Sequence, residues 1–348
     1  MIRYLYALFI LQFLAIPDLV AIEVSNFQQL RDALNNRTDS TIYVTGPITM
    51  RGTLRISRSV AIRSSNAAIR RQVRPHPDFV ELNGGNGPLF EIDANNVRLI
   101  HLDISGLISS AGNRQTRDIE ILNFSEGFDI RRCTLRYTGI RAEQGKGAPD
   151  LSVRFCRFVD ASYQGTSTIK LSSGTDTSSN PHLTLNSMNN FLRIENCDWE
   201  TRNGDQVDLK PKSAISIDWG RYWHEILSER GLSRYNTRSN DQVDMSDGGF
   251  GEELSAEIAR NSTRSADFHR YSIDVSLARN VVIRNNDFVS GNTAPHEQSN
   301  VNRAVVHIEH GCEDVNTRNN NLRIHNSLES ADGVNTPHVE LGVVSSGG

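Results

Sequence analysis

Seven residues carry side chains from which a reactive centre could be assembled. Asp205, Asp208 and Asp274 are hard oxygen donors of the kind that hold Ca2+, and Lys170, Lys210, His307 and Glu309 are candidate proton acceptors. A cation that neutralises a carboxylate acidifies the neighbouring C–H, and a base then removes that proton, which is the chemistry of β-elimination. A lysine serves as the base only where burial or neighbouring cations lower its pKa. The same acids taken in pairs support hydrolysis of a glycosidic bond, with a separation of about 5 Å for the retaining course and about 9 Å for the inverting one. The seven are scattered over more than a hundred positions, so only a repeating element could gather them.

Such a repeat is present. A pattern V/I-x-x-C/N-x-F/L recurs as Ile130-Arg-Arg-Cys133-Thr-Leu135, Val153-Arg-Phe-Cys156-Arg-Phe158, Ile194-Glu-Asn-Cys197-Asp-Trp199, Ile283-Arg-Asn-Asn286-Asp-Phe288 and Thr317-Arg-Asn-Asn320-Asn-Leu322, with a forerunner at Leu99-Ile-His-Leu102-Asp-Ile104. Its spacing fits one strand, a tight bend and a second strand. A third short alternating strand precedes most copies: Ile119-Glu-Ile121, Ile169-Lys-Leu171, Ile273-Asp-Val275 and Val306-His-Ile308. Three strands make one coil, and coils stack about 4.8 Å apart. The expected fold is all-β, a right-handed parallel β-helix.

The Cys/Asn column reads as a ladder of small polar side chains at an inward bend, bonding from coil to coil. No base is paired with the cysteines, and no CxxC spacing points to zinc. Cys133 and Cys156, on neighbouring coils, are either bridged or a buried free pair. On the third strand of each coil the apolar residues face inward, so the alternate positions form an outward stripe. Glu120, Lys170, Asp208 with Lys210, Asp274, His307 with Glu309, and His338 with Glu340 are assigned to it. The stripe is either a site or a solvated face with cross-strand charge pairs. Long interrupting segments beside it favour a site.

The rest of the chain departs from the repeat. Ser25-Asn-Phe-Gln28 reads as a capping box that opens an amphipathic helix through Asn36, suited to close the N-terminal end of the solenoid. A partly helical insertion is expected over about 211–269. In it Trp219, Tyr222, Trp223, Ile226 and Leu227 fall on one helical face, the acidic loop Asp241 to Glu253 lacks EF-hand spacing, and a short helix lies near Leu254 to Ala259. Three sequons, at Asn36, Asn123 and Asn261, matter only in a glycosylating host.

With 37% hydrophobic and 22% charged residues, the composition suits many narrow strands joined by polar turns. The net charge of −4, with both signs interspersed, argues against a nucleic-acid partner; a polyanion would need a local basic patch. The apolar run Tyr4 to Ile16, followed by Pro17 and Ala21, reads as a secretory signal, and it is shorter than the roughly 20 residues a membrane span needs. The expectation is a signal segment over 1–21 and a single secreted or periplasmic domain over 22–348, monomeric and free of the membrane after cleavage.

Two stretches resemble the pectate lyase-like superfamily of right-handed β-helix proteins. Thr41-Ile-Tyr-Val-Thr-Gly46-Pro-Ile-Thr49, followed by Ile56-Ser-Arg-Ser-Val-Ala-Ile62, is similar to the opening coil of its polysaccharide lyases, and Phe90-Glu-Ile-Asp-Ala-Asn-Asn-Val97-Arg-Leu-Ile-His-Leu-Asp-Ile104 to a later one. The family's catalytic segments W-I-D-H-C, R-x-P-x-x-R, N-T-D and D-P-H do not occur, and Glu309-His310-Gly311 is a partial echo of G-H-G. The resemblance implies a carbohydrate-active protein that takes an acidic polysaccharide. On this reading Lys170, Lys210, His307 or Glu309 supplies the base of a lyase, and Asp205, Asp208 and Asp274 hold Ca2+. A hydrolase using paired carboxylates and a non-catalytic glycan-binding, adhesin or structural protein are the alternatives.

Overall fold

The computed structural model describes residues 21–35, 39–65, 79–82, 88–106, 108–110, 113–115, 118–122, 125–142, 150–161, 167–172, 192–200, 213–218, 256–265, 271–276, 281–291, 306–308, 315–325 and 339–341. They form a parallel β-helix whose chain visits three parallel sheets in turn. Sheet one has ten strands, from Ala21–Val24 to Asn316–Arg318; sheet two has nine, from Ile48–Met50 to Asn321–His325; sheet three has nine, from Leu54–Ile56 to Val339–Leu341. A two-stranded antiparallel hairpin, Ile108–Ser110 with Asn113–Gln115, is the one pairing outside the solenoid among the described residues.

Alternation sets the register. In sheet three Ile119, Ile140, Ile169, Ile215 and Ile273 stack in register, with Ile121, Ala142, Leu171, Ile217 and Val275 two positions on, and all are buried. A one-residue slip in any strand would turn two such side chains out to solvent, at about 1.5–3 kcal/mol for each large apolar residue. Sheet two supplies bulkier inward groups. Phe158 and Trp199, neighbours in register, stack with centroids 4.9 Å apart and planes 13° from parallel.

The bend from sheet one to sheet two is tight on every coil from Leu99 onward. His101, Arg132, Phe155, Asn196, Arg260, Asn285 and Asn319 adopt positive φ there. For a non-glycine residue that conformation costs roughly 1–2 kcal/mol. It is offset because the bend keeps the inter-coil ladder running: Arg132 N–H donates to Arg154 O at 3.0 Å and Asn196 N–H to Ala259 O at 3.1 Å. The next residue fills the inward slot, giving the column Leu102, Cys133, Cys156, Cys197, Asn261, Asn286, Asn320.

In this column Asn286 Oδ1 accepts from the Asn261 N–H (2.9 Å) and Nδ2 (3.1 Å), while Asn286 Nδ2 donates to Ile258 O and to Asn320 Oδ1, both at 2.9 Å. Cys133, Cys156 and Cys197 are buried free thiols, each donating weakly to a carbonyl of the preceding coil at 3.5–3.6 Å. The bridge between Cys133 and Cys156 is therefore not formed. Burial raises the Cys133 and Cys197 thiols well above the ordinary range.

Two sequence expectations are corrected. Ala256–Ala259 is a strand of sheet one and not a helix, because Ile258 continues the Ile194 to Ile283 core row. Regular coil strands Ser213–Asp218, Ala256–Ala259 and Ser262–Ser265 lie inside the expected insertion, and the aromatic face at Trp219 to Leu227 and the loop Asp241 to Glu253 lie outside the described residues. Asn261 is a ladder residue, 2% exposed with its Nδ2 donating to Ile194 O at 2.9 Å, so its sequon is closed in the folded chain.

At the N-terminus a helix, α1 (Phe27–Asn35), places Leu30, Ala33 and Leu34 over the end of the core. Its cap sits one residue later than expected: Asn26 Oδ1 accepts from Gln29 N–H at 3.0 Å, and Gln29 Oε1 accepts from Ser25 N–H at 2.8 Å. At the other end Arg58 donates to the free carbonyls of Ala33 (2.7 Å) and Leu34 (3.0 Å). Residues 1–20 lie outside the described residues; Ala21 already pairs with Thr41.

Candidate functional site

The outward positions of sheet three form one continuous row: Arg55, Glu91, Glu120, Arg141, Lys170, Ser216, Asp274, His307, Glu340. From Arg55 to His307 each side chain is there because both of its neighbours on the strand are buried apolar residues. Lys170, Asp274 and His307 thus share one row, as their alternation required. Asp205, Asp208, Lys210 and Glu309 lie outside the described residues, as does His338. The row position between Lys170 and Asp274, which the sequence reading gave to Asp208 and Lys210, is held by Ser216 on the strand Ser213–Asp218.

Within the row His307 Nδ1 and Asp274 Oδ1 lie 2.8 Å apart. Both are largely shielded, with side-chain exposures of 18% and 12%. A carboxylate on Nδ1 orients the ring and leaves Nε2 as the nitrogen for proton transfer. Three coil steps, roughly 14 Å, separate His307 from Lys170. Lys170 is in register with Arg141, whose guanidinium is held by Asp118; Asp118 also accepts the Gly139 N–H at 2.7 Å. Two cations therefore occupy consecutive coils, and an oriented histidine lies further along the same face.

Among the described residues no group of three or more His, Cys, Asp or Glu side chains is placed to hold a metal, and Asp274, the one described member of the expected set, turns Oδ1 toward His307.

Sheet one carries a second polar surface that the sequence reading passed over. Arg63, Arg131, Arg154, Arg284 and Arg318 lie in one outward row, with Arg98 and Arg193 in the parallel one. A groove of about 740 Å³ runs along it. The signal was inside the repeat itself, because arginine directly follows the inward residue in Ile130-Arg131, Val153-Arg154, Ile283-Arg284 and Thr317-Arg318. A net charge of −4 conceals it, since a total does not report which face holds the cations.

No protein-family model matches the chain, and no curated protein matches it in sequence.

Proposed function

We propose that this chain is a secreted, carbohydrate-active member of the pectate lyase-like superfamily that cleaves an acidic polysaccharide by β-elimination along sheet three. The observation that carries this reading is the row itself: Arg141 and Lys170 on consecutive coils, in line with the hydrogen-bonded Asp274 and His307. A uronate polymer laid along the sheet presents carboxylates to the two cations. Roughly 14 Å further on, and so at a different sugar, His307 Nε2 takes the C5 proton. The C–H electron pair becomes the C4–C5 double bond, the C4–O4 bond breaks with its electron pair leaving on O4, and that oxygen takes a proton from water as the leaving sugar departs. The cation facing the reacting carboxylate would be Lys210, or Ca2+ held by Asp205 and Asp208, residues that in sequence shortly precede the strand carrying Ser216.

The test is incubation of the purified protein with pectate, alginate and glycosaminoglycans, with and without Ca2+, following the ultraviolet absorbance of an unsaturated uronate. H307A should abolish the signal and D274N should reduce it, with circular dichroism unchanged. No absorbance on any acidic polymer by the folded protein would refute elimination. Hydrolysis is the second reading, favoured by Glu91 and Glu120, which are in register on adjacent coils about 5 Å apart, the retaining spacing. Its product carries new reducing ends without the absorbance, so the same digest separates the two.

A further inference from the structure

The groove on sheet one has no part in the elimination chemistry, because it lies on a different sheet from His307 and Lys170. We infer that it is a separate binding surface for an extended anionic polysaccharide. Between the coil of Arg98 and the coil of Arg318, the outward positions of sheet one hold six arginines, no lysine and three carboxylates, Asp129, Glu195 and Glu257. This local surplus of positive charge sits on a chain whose total is −4.

These three carboxylates are already committed, and Asp150, which is exposed, is the one further acid lining the groove among the described residues. Asp129 takes Arg131 at 2.7 Å and Arg154 at 3.4 Å, Glu257 takes Arg284 at 2.7 Å, and Glu195 faces Arg260 at 3.6 Å. These pairs hold the inner guanidiniums in place. Arg98, Arg193 and Arg318 are exposed, line the groove, and have no ion pair among the described residues. Successive members are three coils apart, roughly 14 Å, so the three together span about 29 Å. One small anion cannot reach two of them, whereas a polymer with regularly placed oxyanions reaches all three.

The choice of arginine suits the forked recognition of carboxylate or sulfate groups. Single-stranded nucleic acid is the other long polyanion, and proteins that bind it supply aromatic platforms for the bases. The groove is lined by no aromatic side chain among the described residues. A glycan needs no such platform.

The experiment measures binding of three fluorescent probes by anisotropy: a heparin dodecasaccharide, a dodecagalacturonate and an oligo-dT of similar length. The protein is the full chain, either wild type, R193E/R318E or the milder R193Q/R318Q. The structure predicts that at least one of the two glycans binds more tightly than oligo-dT, and which glycan it is separates sulfate from carboxylate recognition. The charge-reversed variant should lose about 100-fold in affinity, roughly tenfold for each contact removed. The neutral variant should lose less, and the salt dependence should be shallower in both. Wild-type affinity in a folded R193E/R318E protein, failure of both glycans to bind, or tighter binding of oligo-dT overturns the inference. H307A should retain this binding while losing turnover, so this surface and the elimination reading stand or fall separately.

Discussion

Replacing Asn286 by alanine tests how the solenoid is held together along its bend. The Asn286 side chain is 2% exposed and bonds in both directions along the column. Its removal takes the acceptor from the buried Asn261 N–H (2.9 Å) and a donor from the Ile258 carbonyl (2.9 Å). Each buried backbone group left unsatisfied costs about 1–3 kcal/mol, so N286A should lose about 4 kcal/mol. Cysteine at the same position should behave differently. A thiol there can still donate to the Ile258 carbonyl, as Cys197 does to Val153 O at 3.5 Å, yet it is a poor acceptor for Asn261. N286C should therefore lose about half as much, about 2 kcal/mol. Because stacked repeats open locally, native-state hydrogen exchange at the Asn261 amide is the direct measurement, with urea unfolding followed by circular dichroism as the global one. Unchanged protection of that amide in N286A, or a loss below about 1 kcal/mol, would refute the argument that the column is an inter-coil hydrogen-bond ladder.

Three further outcomes follow from individual contacts. Alanine at Gly139 would set a Cβ 2.6 Å from the Thr168 carbonyl oxygen and 2.9 Å from Asp118 Oδ1, so G139A should shift Arg141 and lower both the urea midpoint and any turnover that depends on this cation; an unshifted midpoint would show that the backbone there yields freely. R58A uncovers the Ala33 and Leu34 carbonyls and should destabilise the N-terminal cap by about 1–3 kcal/mol, seen as faster amide exchange confined to α1 and its neighbouring strands. Burial holds the Cys133 and Cys197 protons in the folded chain at a pH where unfolded thiols ionise. Both should resist iodoacetamide until denaturant is added, and their contribution to stability should fall as pH rises above about 8.5. Rapid labelling of either in the native protein by mass spectrometry would contradict that.

The row on sheet three was legible because strands of the type Ile-x-Ile leave the middle residue a single direction, and Lys170, Asp274 and His307 each occupy that middle position. The neighbour between Lys170 and Asp274 was not legible. Ser213–Asp218 and 205–210 are both alternating polar-apolar stretches, and only pairing with Ile169–Ser172 and Tyr271–Ser276 selects Ser216. Asn261 was passed over for a related reason: its copy ends in Thr263 where the pattern calls for Phe or Leu. Thr263 is nonetheless fully buried, its hydroxyl 3.4 Å from that of Ser272.

Composition and periodicity by themselves determined the parallel β-helix, the tight bend and its Cys/Asn column. Those features depend on which residues alternate and how often, and both are local properties of the chain. Tertiary structure alone decided which charges stand beside which. Residues in register on neighbouring coils are tens of positions apart in sequence, and the connection lengths between them vary from coil to coil. For that reason the pairing of Asp274 with His307, the placing of Ser216 beside Lys170, and the gathering of arginines into one groove emerge only when the coils are stacked.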